Sequence, residues 1–244
     1  MDKRLDLNKN NINIEFREFF SKRGGIDFLI DDLSLNFDVY LFSGVIRDYF
    51  LNYPNKFRDI DLVVKPISSL TLDEKMGLFK SFNIFKNSFG GYKVEINGQH
   101  IDLWELNETW ALKNRLMGNK LFLDASELLG TPFFNFSAII FDFKLNQFSY
   151  SNDFLLFLKK RELDLVLKIN PLPQLCVINT IFYKLKFNLA ISKNLKQYCI
   201  EYFGKYNKND FENIQLKHFG EIKYEYSYIK VFIDIFKEDL INSS

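Results

Sequence analysis

The sequence has few of the residues that build metal–sulfur and disulfide sites. Its 244 residues include two cysteines and two histidines, too few for the usual zinc centre made of cysteine and histidine ligands. Cys176 and Cys199 lie in apolar, helix-like surroundings without a CxxC spacing. We therefore expect two reduced cysteines in the core of a cytoplasmic protein.

Long apolar runs and a strong charge imbalance are also missing. No run of about 18 apolar residues is present, so no membrane-spanning helix is expected. The opening MDKRLDLNKN lacks the apolar core of a signal peptide. The formal net charge of +1 is not that of a polycation that coats nucleic acid. The sequence predicts a soluble, cytoplasmic protein with no membrane partner.

Two kinds of apolar periodicity divide the chain. Residues 1–150 begin with two short helical patterns and continue with strand-like and helical runs in alternation. From residue 151 the apolar residues recur with a period of about 3.6, which is typical of helices. We expect an α+β head domain over residues 1–150, including the N-terminal helices, and a helical C-terminal domain over residues 151–244.

Several local signals predict where elements begin, turn and end. Thr71 is expected to be the N-cap of a helix, and Asn97-Gly98 predicts a tight hairpin turn between two strands. Residues 108–116 read as a helix. Residues 133–151 read as two strands of a second hairpin that turns near Leu145-Asn146.

Three aspartates are placed to share a cation. In the strand-like run DIDLVV, Asp59 and Asp61 point to the same face, because side chains alternate along a strand. Asp102, flanked by Ile101 and Leu103 in a later strand-like run, faces away from its apolar neighbours in the same way. Carboxylates held close together repel each other unless a cation lies between them, and their oxygens are preferred ligands of Mg²⁺. The pattern predicts a metal site for phosphoryl or nucleotidyl transfer.

Ordinary ion pairs would also explain the first two aspartates. Asp59 would then pair with Arg58 or Arg47, and Asp61 would cap a neighbouring loop. For a D-x-D pattern standing alone, this structural interpretation is the more frequent one.

A small-residue turn upstream favours the catalytic interpretation. Ser43-Gly44 lies between a buried strand and a helix. In such a turn the backbone N–H groups can approach a phosphate closely. Together with D-x-D on the next strand and Asp102 beyond it, the turn indicates a nucleotide site.

The stretches SGVIRDYFL and RDIDLVV resemble the nucleotidyltransferase head of the DNA polymerase β superfamily. The similar form is that of bacterial poly(A) polymerases and class II tRNA CCA-adding enzymes, which read approximately G-G-x-V-R-D-x-L-L, a short spacer and D-I-D-L. Ser43 stands where the family has its first glycine, and the matching positions are Gly44, Arg47, Asp48, Asp59 and Asp61. The resemblance implies a polymerase β-like, mixed-sheet head followed by a helical neck and body.

Weaker similarity extends the resemblance to about residues 38–190. FFNFSAIIFD, residues 133–142, resembles a later family strand, and NPLPQLCVINTIFYKLKF resembles the neck helix. The chain departs from the family at Gly130-Thr131-Pro132 and at Gln174, where the relatives carry basic residues that hold the nucleotide. We therefore expect nucleotide and acceptor choices that differ from C-then-A addition.

The resemblance implies roles for the residues that match. Asp59, Asp61 and Asp102 would be catalytic and would hold two Mg²⁺ ions. The triphosphate of an incoming NTP or dNTP would be bound by Ser43, Gly44 and Arg47. Attack of a hydroxyl on the α-phosphate would transfer a nucleotide and release pyrophosphate, so that the chain is expected to be a Mg-dependent, template-independent nucleotidyltransferase.

The acceptor is open at this point. It is a nucleic-acid 3′ end, as for the relatives, or another nucleotide, or a protein hydroxyl. A chain without a long tRNA-binding tail favours a specialised role, such as oligonucleotide synthesis in a bacterial antiphage defence or toxin–antitoxin module with an effector protein partner. The alternatives are RNA or tRNA 3′-end addition and an inactive scaffold that binds nucleotide or a partner.

Three further side chains near Asp102 have two interpretations each. Trp104 and Trp110 would stack on a base or, as is more usual for large aromatics, pack in the core. His100 would be a proton shuttle or an ordinary strand residue.

Overall fold

The computed structural model describes residues 11–23, 25–42, 44–53, 59–79, 83–87, 90–118 and 123–242. The chain divides into two compact units. The first consists of Met1–Pro132 with Phe136–Leu155, and the second of Phe133–Asn135 with Leu156–Ser244. Within the described ranges no helix is both long and apolar enough to cross a membrane.

A seven-stranded mixed sheet forms the centre of the first unit. Its strands are β1 (Phe37–Phe42), β2 (Ile60–Pro66), β3 (Asn83–Lys86), β4 (Tyr92–Ile96), β5 (Gln99–Glu105), β6 (Ile139–Asp142) and β7 (Gln147–Tyr150). The spatial order is β3-β4-β5-β2-β1-β6-β7. Strands β2 and β5 are parallel, whereas the other neighbouring pairs are antiparallel. The expected α+β class with a mixed-sheet head is confirmed.

Short helices accompany this sheet. They are α1 (Ile12–Ser21), α2 (Ile26–Ser34), α3 (Gly44–Phe50), α4 (Leu72–Leu78) and α5 (Trp110–Lys113). Helix α4 begins at the predicted cap, because the Thr71 hydroxyl accepts from the Glu74 N–H while the Glu74 side chain accepts from the Thr71 N–H. This reciprocal pair satisfies two N–H groups that the first turn would otherwise leave open.

The two faces of the sheet differ in character. Alternating residues on one face, such as Leu41, Leu62 and Leu103, are fully buried. On the opposite face, an apolar cluster covers part of the sheet; its buried members are Tyr40, Val63, Leu106, Leu112, Ala125, Leu128 and Ile140. Polar and acidic side chains stand on that same face beyond the cluster.

The hairpin predictions have different outcomes. Asn97 and Gly98 connect β4 and β5 with positive φ angles of 51° and 76°, as a tight hairpin turn requires. The second predicted hairpin forms between β6 and β7, which pair antiparallel, but its first strand, expected from residue 133, begins only at Ile139. The first part of that strand prediction is wrong. The Asn135 side-chain amide instead donates to the Glu162 carbonyl (3.0 Å) and accepts from the Asp164 N–H (3.1 Å).

One predicted helix is much shorter than expected. Instead of a helix over residues 108–116, the chain forms a 3₁₀ turn at Leu106–Glu108 and the four-residue α5. Arg115 has a φ of 55°, a left-handed conformation that a continuing helix cannot contain.

Helices dominate the second part of the chain, as the periodicity predicts. They are α6 (Asn152–Lys160), which contains the boundary between the units, and α7 (Pro173–Phe187), α8 (Lys193–Phe203), α9 (Lys208–Phe219) and α10 (Tyr226–Asn242). A two-stranded sheet, β8 (Glu162–Leu163) with β9 (Ala190–Ile191), was not expected. Cys176 and Cys199 are free and buried, and burial raises the pKa of both thiols to about 12.

Candidate active site

The sheet register brings the predicted carboxylates to neighbouring positions. Asp61 on β2 lies directly opposite Asp102 on β5, across the parallel strand pair. On its other side Asp61 lies opposite Phe42, the last residue of β1. Helix α3 begins at Gly44, shortly after Phe42. Because Phe42 lies opposite Asp61, the start of α3 lies near Asp61.

The three aspartates differ in exposure. Asp59 directly precedes β2 and is exposed, whereas Asp61 and Asp102 are half-buried. Their flanking residues Ile60 and Ile101 are paired and almost fully buried on the opposite face. The alternation inferred from the sequence therefore holds on both strands.

A lysine joins the carboxylates from the adjacent strand. Lys93 on β4 lies directly opposite Asp102, and its Nζ donates to Asp102 Oδ1 at 2.8 Å. The pKa of Lys93 is raised by this hydrogen bond first and also by the charges of Asp102, Asp59 and Asp61, against an opposing effect of desolvation. One ammonium group is thus attracted by all three carboxylates.

The donor chemistry of these residues fits a hard divalent cation. Three carboxylates supply the oxygen ligands that Mg²⁺ prefers, and all three act on the same ammonium group. Within the described ranges, no group of three or more histidine, cysteine, aspartate or glutamate side chains is arranged so that it could hold a metal ion. In this structure Lys93 forms an ion pair with one of the three, Asp102.

The predicted phosphate-binding turn is described only in part. Gly44 is buried at the first position of α3, next to the end of β1. Ser43 lies outside the described residues. The assignment of both residues to nucleotide binding stays a prediction.

Arg47 lies inside the molecule. Its side chain is 1% exposed and bonds the neighbouring Asp48 carboxylate through Nε at 2.9 Å and Nη2 at 2.7 Å. The guanidinium carbon also lies 4.8 Å from the centre of the Phe136 ring. These contacts make Arg47 part of the packing around α3, and its predicted role toward a nucleotide remains a prediction.

The aromatic and histidine candidates occupy different surroundings. Trp104 packs against the apolar cluster beside the sheet, and a Cβ added to Gly91 would lie 2.6 Å from its ring. Core packing therefore accounts for Trp104. Trp110 is 38% exposed, and His100, opposite Glu95, is exposed; their functional roles stay predictions.

Sequence reasoning missed Lys93, although a signal for it was present. The Asn97-Gly98 turn pairs Ile96 with Gln99. Counting backward along one strand and forward along the other places Lys93 opposite Asp102. A predicted two-residue hairpin therefore suffices to find the lysine.

Comparisons by sequence identify no relative. No protein-family model matches the chain, and no curated protein matches it.

Comparison with solved structures identifies similar folds. A CCA-adding enzyme in apo form shares 15% identity, with a TM-score of 0.61 over 90% of this chain and 53% of that chain. A complex of a CCA-adding enzyme with CTP gives 15% identity, a TM-score of 0.61 and coverages of 91% and 54%. The Thermotoga maritima CCA-adding enzyme complexed with tRNA gives 18% identity, a TM-score of 0.60 and coverages of 92% and 54%.

These likenesses concern the fold. The chain spans about half the length of the solved structures that it matches. The match extends over about nine-tenths of this chain and so includes both the sheet and the helices that follow it. The chain therefore has the fold found in these CCA-adding enzyme structures, a mixed-sheet head followed by helices.

Proposed function

We propose that this protein is a Mg-dependent, template-independent nucleotidyltransferase. It would transfer a nucleotide from an NTP or dNTP to a hydroxyl acceptor and release pyrophosphate. The observation that carries the proposal is the placement of Asp61 opposite Asp102 on parallel strands, with Asp59 just ahead and Lys93 attracted by all three. The fold shared with CCA-adding enzymes supports the same reaction class.

The three aspartates would be the catalytic and metal-binding residues. Two Mg²⁺ ions held by them would lower the pKa of the attacking hydroxyl and neutralise charge on the triphosphate. Asp102, in the middle of β5, stands on a rigid strand between β2 and β4. From there it would orient the acceptor hydroxyl and take up its proton.

The nucleotide would lie beside Asp61, at the start of α3. There the backbone at Ser43 and Gly44 would receive the phosphates. Arg47 would contribute positive charge from the buried side of α3, where Asp48 and Phe136 fix its guanidinium group. Because the Arg47 guanidinium group is held by the fold, its reorganisation during the reaction would be small.

A nucleic-acid 3′ end is the acceptor that the structural neighbours favour. Those solved structures include CCA-adding enzymes with CTP and with ATP, and a tRNA nucleotidyltransferase with a primer tRNA and an ATP analogue. A nucleotide acceptor would instead yield a short oligonucleotide, as expected for an antiphage or toxin–antitoxin module with an effector partner. A protein hydroxyl is the third acceptor, and the cytoplasm is the proposed setting for each.

Incubation with labelled nucleotides tests the reaction and separates the acceptors. The protein is supplied with each NTP and dNTP and Mg²⁺, alone, with RNA, or with tRNA lacking its 3′ end. Extended RNA identifies a 3′-end acceptor, short products without RNA identify a nucleotide acceptor, and labelled protein identifies a protein hydroxyl. Asp61→Asn and Asp102→Asn should each lower the rate by at least about a hundredfold, the scale of losing one stabilising group in the transition state.

Asp38→Asn is the matched control. Asp38 lies on β1 of the same sheet, and its side chain is 19% exposed and bonded to Lys144 at 2.8 Å, against 20% and 2.8 Å for Asp102 with Lys93. The nucleotide-transfer rate of the Asp38→Asn variant should stay within about twofold of that of the unaltered protein. No incorporation under any of these conditions, with nucleotide still bound, would instead identify an inactive scaffold.

A further inference from the structure

Lys93 is a charged residue that the reaction described above does not use. It stands on β4, where the inward-facing Tyr92, Val94 and Ile96 are buried and Lys93 itself is exposed. On one side Lys93 lies opposite Phe85 of β3, and on the other it forms a hydrogen bond and an ion pair with Asp102. The polar contact indicates a role toward the carboxylates.

The geometry makes Lys93 a resident counter-ion of Asp102, the aspartate on the neighbouring strand. Its ammonium lies 2.8 Å from Asp102 Oδ1, and Asp59 and Asp61 attract it as well. Like charges held on neighbouring strands repel each other, so a positive group among them stabilises the sheet in the absence of metal. One positive charge nevertheless leaves two of three formal negative charges uncompensated.

The same position puts Lys93 in competition with a divalent cation. A Mg²⁺ ion takes carboxylate oxygens at about 2.0–2.1 Å and demands near-octahedral geometry. One of the two Asp102 carboxylate oxygens, Oδ1, here accepts the hydrogen bond from the lysine ammonium. The lysine side chain is 61% exposed and flexible, so it can leave without disturbing the strand.

We propose that Lys93 sets the affinity of the Asp59–Asp61–Asp102 site for divalent cations, by occupying the site as its counter-ion until a metal ion displaces it. The inference rests on the proposed function for the identity of the metal site. Lys93, which is not one of the three aspartates, would thereby control how tightly the site binds a divalent cation.

Direct measurement of metal binding tests this inference without any reaction. Mn²⁺ is titrated into the full chain without nucleotide, and free Mn²⁺ is followed by electron paramagnetic resonance. Lys93→Gln should bind Mn²⁺ about tenfold more tightly than the unaltered protein, which corresponds to about 1.4 kcal/mol. Lys93→Arg, which keeps the positive charge, should stay within about threefold of the unaltered protein.

Lys144→Gln is the matched control for the lost charge. Lys144 is 62% exposed and bonds Asp38, itself 19% exposed, at 2.8 Å, so the two lysine pairs are nearly identical apart from their location. Its Mn²⁺ affinity should equal that of the unaltered protein. Adding Asp61→Asn to Lys93→Gln should abolish the tight binding, which assigns the gain to this site.

Thermal unfolding supplies a second readout that needs no metal-loaded activity. Without metal, Lys93→Gln should melt no more than about 2 °C below the unaltered protein, because an ion pair that faces solvent contributes little stability. Saturating Mn²⁺ should raise the melting temperature of Lys93→Gln more than that of the unaltered protein or of Lys144→Gln.

The possible results separate this inference from the proposed function. Equal Mn²⁺ affinity in Lys93→Gln and the unaltered protein, an equal gain in Lys144→Gln, or no binding by any variant at millimolar Mn²⁺ would overturn the inference. A failure to incorporate nucleotide would overturn the proposed function instead, and leaves the outcome of the metal titration unchanged.

Discussion

At the scale of single residues, the same charge pairing has two different consequences in this molecule. The Lys93–Asp102 pair faces solvent, where an ion pair contributes little stability and its charges stay available to ligands. The Arg47–Asp48 pair is buried, with side-chain exposures of 1% and 0%. A buried charge that loses its partner is costly, so we expect Arg47 to be essential for the stability of the fold.

Substitution of Arg47 tests this difference. Arg47→Met should lower the free energy of unfolding by about 3–5 kcal/mol, because Asp48 would keep a buried charge without its neighbouring guanidinium. Chemical denaturation measures the change. Arg17→Met is the control, since Arg17 and Asp27 form a half-exposed pair at 3.1 Å, and its effect should not exceed about 1 kcal/mol. Similar losses of unfolding free energy in Arg47→Met and Arg17→Met would contradict the expectation that Arg47 is essential for the stability of the fold.

At the scale of elements, hydrogen bonds from a few polar side chains decide where helices end and how they connect. Gln215 on α9 is fully buried. Its amide donates to the Tyr224 carbonyl at 3.0 Å and accepts from the Tyr224 N–H at 2.9 Å. The left-handed Gly220 ends α9, and Gln215 then holds the connection to α10 in place.

Removal of the Gln215 amide should loosen this connection. Gln215→Leu has a similar size but leaves two backbone groups of Tyr224 without their partner, at a cost of about 1–3 kcal/mol. Asn213→Leu changes an exposed residue of the same helix and should change stability by less than about 0.5 kcal/mol. The prediction fails if the two variants unfold at the same denaturant concentration.

At the scale of the whole molecule, the two compact units each have a buried core of their own. Leu41 on β1 is fully buried in the first unit, and Leu195 on α8 is fully buried in the second. Cooperative opening often follows compact units of this kind.

Matched leucine truncations test whether the units open separately. Leu41→Ala and Leu195→Ala should each cost about 2–5 kcal/mol. Hydrogen exchange followed by mass spectrometry should show faster exchange mainly in the unit that carries the substitution. A uniform increase across both units would mean that the chain opens as one body.

Much of the fold was predictable because its signals are local. The Thr71 cap, the Asn97-Gly98 turn and the helices after residue 151 depend on residues close together in sequence. The helix predicted over residues 108–116 is shorter than expected. The strand predicted over residues 133–142 begins only at Ile139, because a distant contact prevails at Asn135. Asn135 bonds backbone groups some thirty residues away, and no local pattern encodes such a partner.

The sequence by itself determined which side chains share a face and which turns join neighbouring strands, because alternation and turn chemistry are properties of short segments. It placed Asp59, Asp61 and Asp102 away from the apolar face and made Lys93 the cross-strand partner of Asp102. Only the tertiary structure decided that β2 lies parallel to β5, so that Asp61 meets Asp102, and that Arg47 is buried against Asp48. Pairing between strands separated by a helix and two other strands depends on the collective burial of the sheet, which no short segment specifies.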